Sequence, residues 1–346
     1  MKQFPQEPFS PLALWFKGQA ELALGQHEEA WKSWSRLVEL GSDFEQRREL
    51  LWQGALLAGN LKKYAEMERL LLLFVNEFSK DGLQAEAHAL LAQARQEQGA
   101  ETDAAAFWAR ARDLDPARYT LEATQQRIRI ALSRADLKTL RAEVEIYDQW
   151  RLKHRDIPEL SLEVMEWLGQ QIMEQTAKAE EAEPYLRRVL ASSKAATQRK
   201  RVQLRLALLM SQLKKHGAAL REWQLYRVNF PEEANRSPVL EPLALAMIGA
   251  AEYDEAQKIA EQILRQNPEG TYNAKGRLLL GDIQMARRNP REAAKIFSAV
   301  SLLVDDLELT PLALARAEKA YRLSGDNAKA DEFFITSKKA ISGEVG

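Results

Sequence analysis

Ala251-Glu252-Tyr253-Asp254-Glu255-Ala256 is the stretch on which the fold can be read, because its last residue belongs to a series. Ala182, Ala219, Ala256, Ala293 and Ala330 follow one another at a constant interval of 37. Four and seven residues after each alanine the pattern repeats: Leu186 and Val189, Trp223 and Tyr226, Ala260 and Ile263, Phe297 and Val300, then Phe334 and Ser337. Positions i, i+4 and i+7 fall on one helix face, and the small residue marks where a neighbouring helix crosses closely. A period of this length predicts a stack of helical hairpins.

The first half carries the same stripe in Ala30-Trp34-Leu37 and Ala104-Trp108-Ala111, with Leu140-Val144-Tyr147 as a bulkier variant. Gly25, Gly99 and Gly325 stand five residues before their alanines, where a left-handed residue ends the first helix. Pro116, Pro231 and Pro268 stand twelve residues after theirs and end the second helix. The second repeat reads differently. Gly59-Asn60 is taken as its turn, with Tyr64 or Ala65 in the small slot and a local spacing near 34. Leu140 to Ala182 is stretched to 42, and the added length is placed near Lys153-His154-Arg155-Asp156-Ile157-Pro158 as a junction or hinge.

This pattern resembles the tetratricopeptide repeat family. The match is carried by Ala251 to Ala256 with Pro268, then by Leu280-Gly281, Ala293 and Phe297. The resemblance implies an all-α, right-handed α-solenoid of about nine hairpins over residues 11–340. The expected division is an amino-terminal array over 1–152, a junction at 153–161, a carboxy-terminal array over 162–341 and a tail at 342–346.

Composition bounds the chemistry. The chain has 346 residues, 46% hydrophobic and 29% charged, which fits a folded soluble array. A net charge of −1 gives no global attraction to nucleic acid or anionic lipid. The absence of cysteine excludes disulfides, thiolate metal sites and cysteine nucleophiles. The longest apolar run, Leu70 to Val75, is far too short to span a bilayer, so no membrane insertion is expected. The start, Met1 to Pro8, lacks the apolar core of a signal peptide. The expected location is the cytoplasm, or the envelope if a leader has been removed. No polar capping helix is legible at the end, which is the expectation for one section of a longer polypeptide.

No enzymatic constellation is legible, and no cofactor or metal is expected. His27, His88, His154 and His216 lie in or beside different repeats, without a second ligand at metal spacing. His154-Arg155-Asp156 matches a kinase catalytic triplet by chance, since no glycine-rich loop or metal-binding Asp-Phe-Gly accompanies it. Lys194, Arg199, Lys200, Arg201 and Arg205 form a basic cluster, read either as a solvated face or as a docking patch for an acidic partner. Aromatic residues do not interleave with it, which argues against nucleic acid.

In the tetratricopeptide family the first helix of each hairpin lines a concave groove. Carried over slot by slot, the resemblance places Trp15, Gln53, Gln93, Gln125, Arg129, Trp167 and Gln171 in that groove. Glutamine both donates and accepts, so a ladder of amides suits an extended peptide backbone. Further along, Leu204, Leu208, Leu245 and Ile248 make the inner slots apolar. The paired cations by which the family's chaperone adaptors hold a peptide carboxylate are missing, since Arg129 stands alone. The expected function is therefore a non-enzymatic scaffold for a protein or peptide partner, with its oligomeric state open. Gly276 to Lys339 also resembles helical-repeat proteins of bacterial envelopes, which implies a role in assembling an envelope complex. The alternative is a cytoplasmic regulator or the sensor arm of a signalling protein.

Overall fold

A computed structural model describes residues 10–39, 44–154, 156–303 and 306–342. Among these residues the secondary structure is helical throughout, without strands, and within each of two units successive helices pack against one another. Two compact units are present, Met1–Glu159 and Leu160–Gly346.

The first unit contains four hairpins. These are α1 (Pro11–Ala23) with α2 (His27–Glu39), α3 (Arg47–Asn60) with α4 (Tyr64–Glu77), α5 (Gln84–Glu97) with α6 (Glu101–Leu114), and α7 (Pro116–Ser133) with α8 (Leu137–Lys153). In the second unit α9 (Leu162–Glu174) leads through a 3-10 segment, Thr176–Ala182, into α10 (Glu183–Ser192). There follow α11 (Ala196–Gln212) with α12 (His216–Asn229), and α13 (Ser237–Gly249) with α14 (Tyr253–Gln266). The last pairs are α15 (Thr271–Ala286) with α16 (Pro290–Leu303), and α17 (Leu309–Ser324) with α18 (Asn327–Ser342).

The periodic stripe is the core. Trp34, Trp108, Trp223 and Phe297 are each sealed from solvent, as are the alanines four residues before them. Fully burying a large apolar side chain contributes roughly 1.5–3 kcal/mol, so the stripe is where each hairpin gains its stability. Close approach is bought by glycine on the first helix. A Cβ on Gly18 would lie 2.2 Å from Trp34 Nε1, and one on Gly281 2.3 Å from Phe297 Cε1. The Ser10, Asp115, Asp136 and Ser161 side chains cap their helices by accepting from backbone N–H groups three residues on.

The hairpin turns repeat more strictly than the sequence showed. Gly25, Lys62, Gly99, Ala135, Lys214, Ala251, Arg288 and Gly325 all have positive φ. Five of these are not glycine, at a cost of about 1 kcal/mol or more each, which the packed helices on either side absorb.

Lys62 corrects the reading of the second repeat. Gly59 and Asn60 are still helical in α3, and the turn falls at Leu61 to Lys63. The stripe is then Met67, Leu71 and Phe74, all buried, with Met67 in the small slot rather than Tyr64 or Ala65. Ala30, Met67 and Ala104 are 37 apart, so the local spacing near 34 is discarded. The physical reason is an exchange of volume across the hairpin. A Cβ on Gly59 would meet Met67 Sδ at 2.9 Å, so glycine on the first helix makes room for methionine on the second.

The longer interval after Leu140 is taken up in a 17-residue α8 and in the connector 154–161. Within the first unit this connector folds back on α8. Tyr147 Oη donates to Pro158 O at 3.1 Å, and Arg151 pairs with Glu159 at 2.8 Å.

Candidate functional site

The groove residues can be followed through the corrected 37-residue register. Gln19 lies eleven residues before Ala30, and the same offset gives Leu56, Gln93 and Arg129 in the first unit. In the second it gives Gln171, Leu208, Leu245, Asp282 and Lys319. Every one of these side chains is exposed or half-exposed.

The amide ladder is altered in the second repeat, where Leu56 takes the slot assigned to Gln53. Gln53 is half-buried beside it and accepts from Gln19 Nε2 at 2.7 Å, so this pair bridges α1 and α3. Leu56 was missed because the misplaced turn shifted α3 by three residues. Gln93 and Gln125 are exposed on α5 and α7. Arg129 is exposed as well, and its Nη2 donates to Gln126 Oε1 at 2.6 Å, which also accepts from Gln96 at 3.2 Å.

Trp15 is not a groove residue. It is buried, stacked on Trp34 at 5.4 Å between ring centroids, and its carbonyl accepts from Trp34 Nε1 at 3.4 Å. A tryptophan in this slot faces the hairpin interior because Gly18 leaves space on the same helix for the Trp34 ring. Trp167 and Gln171 are half-exposed on α9 in the second unit.

A pocket of about 330 Å³ opens between the carboxy-terminal ends of α3 and α5. Leu56, Leu90 and Met67 give it an apolar lining, and Asn60, Gln93 and Glu97 supply polar groups.

The basic cluster is largely neutralised within the second unit. Glu166 on α9 accepts from Arg201 Nε at 2.5 Å, from Arg201 Nη2 at 2.9 Å, from Gln198 Nε2 at 3.0 Å and from Arg205 Nη1. Hydrogen bonding by Arg201, and then by Gln198, holds its carboxyl down at about 2 against the opposing effect of burial. Lys200 pairs with Glu233 at 2.7 Å. Other buried carboxylates are held in the same way. Glu143 accepts from Arg112 and Arg127, both at 2.6 Å, and Glu222 from Gln203 at 2.7 Å and Arg187 at 2.9 Å. These are ties between adjacent helices, with the carboxylate fully engaged.

Asp282 differs. It is partly buried on α15, and burial pushes its carboxyl up to about 6 although Arg316 Nη1 lies 2.7 Å away. Among the histidines, His88 Nδ1 donates to Gln84 O at 2.8 Å, and burial lowers its basicity. His154 packs on Trp150. Arg155, in the middle of the chance kinase triplet, lies outside the described residues. Among the described residues no cluster of His, Asp and Glu could hold a metal ion, and no helix is long and apolar enough to cross a membrane.

The fold defines the class: an array of helical hairpins. Residues 247–309, which include the stretch from Ala251 to Ala256, match the model of the tetratricopeptide repeat family. No curated protein matches the sequence. Among solved structures, a tetratricopeptide repeat protein from Parabacteroides merdae is similar at 14% identity over 79% of this chain and 99% of its own, with a TM-score of 0.32. The type IV pilus biogenesis factor PilW is similar at 16% identity over 68% of this chain and 100% of its own, at 0.38. The TPR2AB domain of yeast Sti1, in its complex with pHSP90, is similar at 14% identity over 84% and 98%, at 0.35.

Proposed function

We propose that this chain is a non-catalytic scaffold that holds an extended segment of a protein partner along the first helices of its amino-terminal unit. The observation that carries the reading is the pocket at Leu56, Leu90 and Met67, with Gln93 beside it and Gln125 and Arg129 further along the row. An apolar side chain enters the pocket, and the amides pair with the peptide backbone on either side. Arg129, already bonded to Gln126, meets a carbonyl or carboxylate. In the second unit, Trp167, Leu208 and Leu245 give the corresponding face a more apolar character suited to anchoring.

The test is a peptide-display selection on the whole chain, followed by affinities measured by fluorescence anisotropy. Leu56→Asp and Gln93→Ala should each weaken the selected peptides about tenfold, or about 1.4 kcal/mol. Arg110→Ala, an exposed change on the second helix α6, should leave affinity unchanged. Equal affinity across all three variants would overturn the site.

The finer assignment, assembly of a bacterial envelope complex, is supported by the likeness of Gly276 to Lys339 to envelope repeat proteins. Fractionation of the native gene product checks it. Co-purification with cytosolic markers would favour the regulator instead.

A further inference from the structure

Within each unit, along the edge formed by the hairpin turns, the start of a second helix can meet the turn of the next hairpin. At four such places the second helix provides an acid and the next hairpin a donor. Glu28 accepts from Lys63 Nζ at 2.6 Å, and Glu101 from Ser133 Oγ at 2.7 Å. Glu183 faces Lys215 Nζ at 3.9 Å, and Asp254 pairs with Arg287 Nη2.

Between α16 and the α17–α18 hairpin the arrangement differs. Arg291 stands where Asp254 stands one period earlier, since 291−254 is 37. Ser324 stands where Arg287 stands, since 324−287 is also 37, and its hydroxyl is turned to Tyr321 O at 2.8 Å. The acid is replaced by a cation and the cross-link is absent. What remains is an open cleft of about 500 Å³.

Three cations line this cleft. Arg291 has no ion pair among the described residues. Lys295 is paired only along its own helix, with Glu292 at 3.1 Å. Lys329 lies over the Tyr321 ring, 5.4 Å from its centroid, and 3.7 Å from Asp326. Asp326 is the one carboxylate in the lining, and its Oδ1 is engaged by the Lys329 backbone N–H at 3.3 Å. The cleft therefore has an excess of positive charge where Asp254 and Arg287 form a neutral pair one period earlier.

We propose that this cleft is a second docking site, which takes a carboxylate-bearing segment of an acidic protein partner. The partner's carboxylate would occupy the position that Asp254 fills one repeat earlier, with Arg291 and Lys295 as donors. Nucleic acid fits less well. Tyr321 is the one aromatic in the lining, and Phe333 stacked at 5.4 Å and Lys329 over the ring already occupy it, so the cleft offers no platform of aromatics for successive bases. The site lies apart from the first-helix row, so it stands or falls independently of the peptide groove.

The probe is a fluorescein-labelled hexaglutamate peptide, titrated with the whole chain and followed by anisotropy. Binding with a Kd below about 1 mM is expected at low salt, weakening on the order of tenfold as salt rises to physiological strength. Arg291→Asp combined with Ser324→Arg rebuilds the pair found one repeat earlier. It should reduce affinity at least about tenfold while the helical circular dichroism stays the same. Lys258→Glu, at the position one period before Lys295, should leave binding unchanged. Absence of binding by the native chain, equal affinity of the double variant, or equal affinity for a hexathymidylate of similar charge would each overturn the proposal.

Discussion

Replacing Gly281 by alanine tests the packing argument at its tightest point. In an exposed helix the change would stabilise by about 1 kcal/mol, since alanine is the better helix former. Here the new methyl would sit 2.3, 2.7 and 2.8 Å from three ring carbons of Phe297, well inside ordinary contact distance. The ring has little room to retreat. Phe297 is 1% exposed, packs in a cluster with Ala274, Ala313 and Ala317, and has the Arg316 guanidinium 6.0 Å from its centroid. Overpacking of this kind costs about 1–3 kcal/mol, and with backbone displacement more. Overpacking therefore outweighs the helix-propensity gain, and the melting temperature followed by circular dichroism at 222 nm should fall by several degrees. Gly217→Ala is the control, because its Cβ would meet only Arg221 Nη1 at 3.9 Å, and it should be neutral or slightly stabilising. Gly281→Ala with Phe297→Leu should lose less than the two single losses added, by about 0.5–3 kcal/mol, because the smaller side chain vacates the overlap. A Gly281→Ala protein as stable as the Gly217→Ala protein, or strictly additive losses in the double variant, would refute the close-approach reasoning.

Glu166→Gln should destabilise the chain at neutral pH by about 2–3 kcal/mol, because the carboxyl is depressed from 4.5 to about 2 by its partners. A depressed carboxyl contributes stability that is fully present above its unfolded value and is lost as pH falls through its folded value. The difference between wild type and variant should thus close between pH 4.5 and 2, and urea titrations showing a pH-independent difference would contradict the pairing. Asp282→Asn should behave in the opposite sense. Its carboxyl is raised to about 6 by burial, so its contribution is present at low pH and lost as pH rises through 6; the variant should gain on the wild type between pH 4 and 7. Trp15→Ala should lower stability by about 3–5 kcal/mol, as a core truncation does, and an unchanged melting temperature would return Trp15 to the surface.

The class of fold was legible because it depends on period. Ala182 to Ala330 at intervals of 37, with apolar residues four and seven positions on, could only be satisfied by helices stacked in pairs. Turns were legible where glycine occupied the left-handed position, as at Gly25, Gly99 and Gly325. Ala251 was legible only through the resemblance, and Lys62, Ala135, Lys214 and Arg288 not at all, because a residue type that tolerates positive φ poorly gives no local sign that tertiary packing will impose it. That is why the second repeat was misregistered and Leu56 overlooked in favour of Gln53.

The orientation of side chains within the row was decided by volume. Trp15 and Trp167 read alike in sequence, yet Gly18 and Trp34 draw Trp15 into the core while Trp167 stays half-exposed. Charge was likewise settled across hairpins. Arg201 and Arg205 looked available until α9 brought Glu166 between them, whereas Arg291 has no ion pair among the described residues, a difference whose meaning depends on residues 37 positions away. The sequence by itself determined the repeating unit and the face that packs, since local periodicity and residue size are sufficient for both. Only the tertiary structure decided which polar groups stay open to a partner, because that depends on what the neighbouring hairpin places opposite each of them.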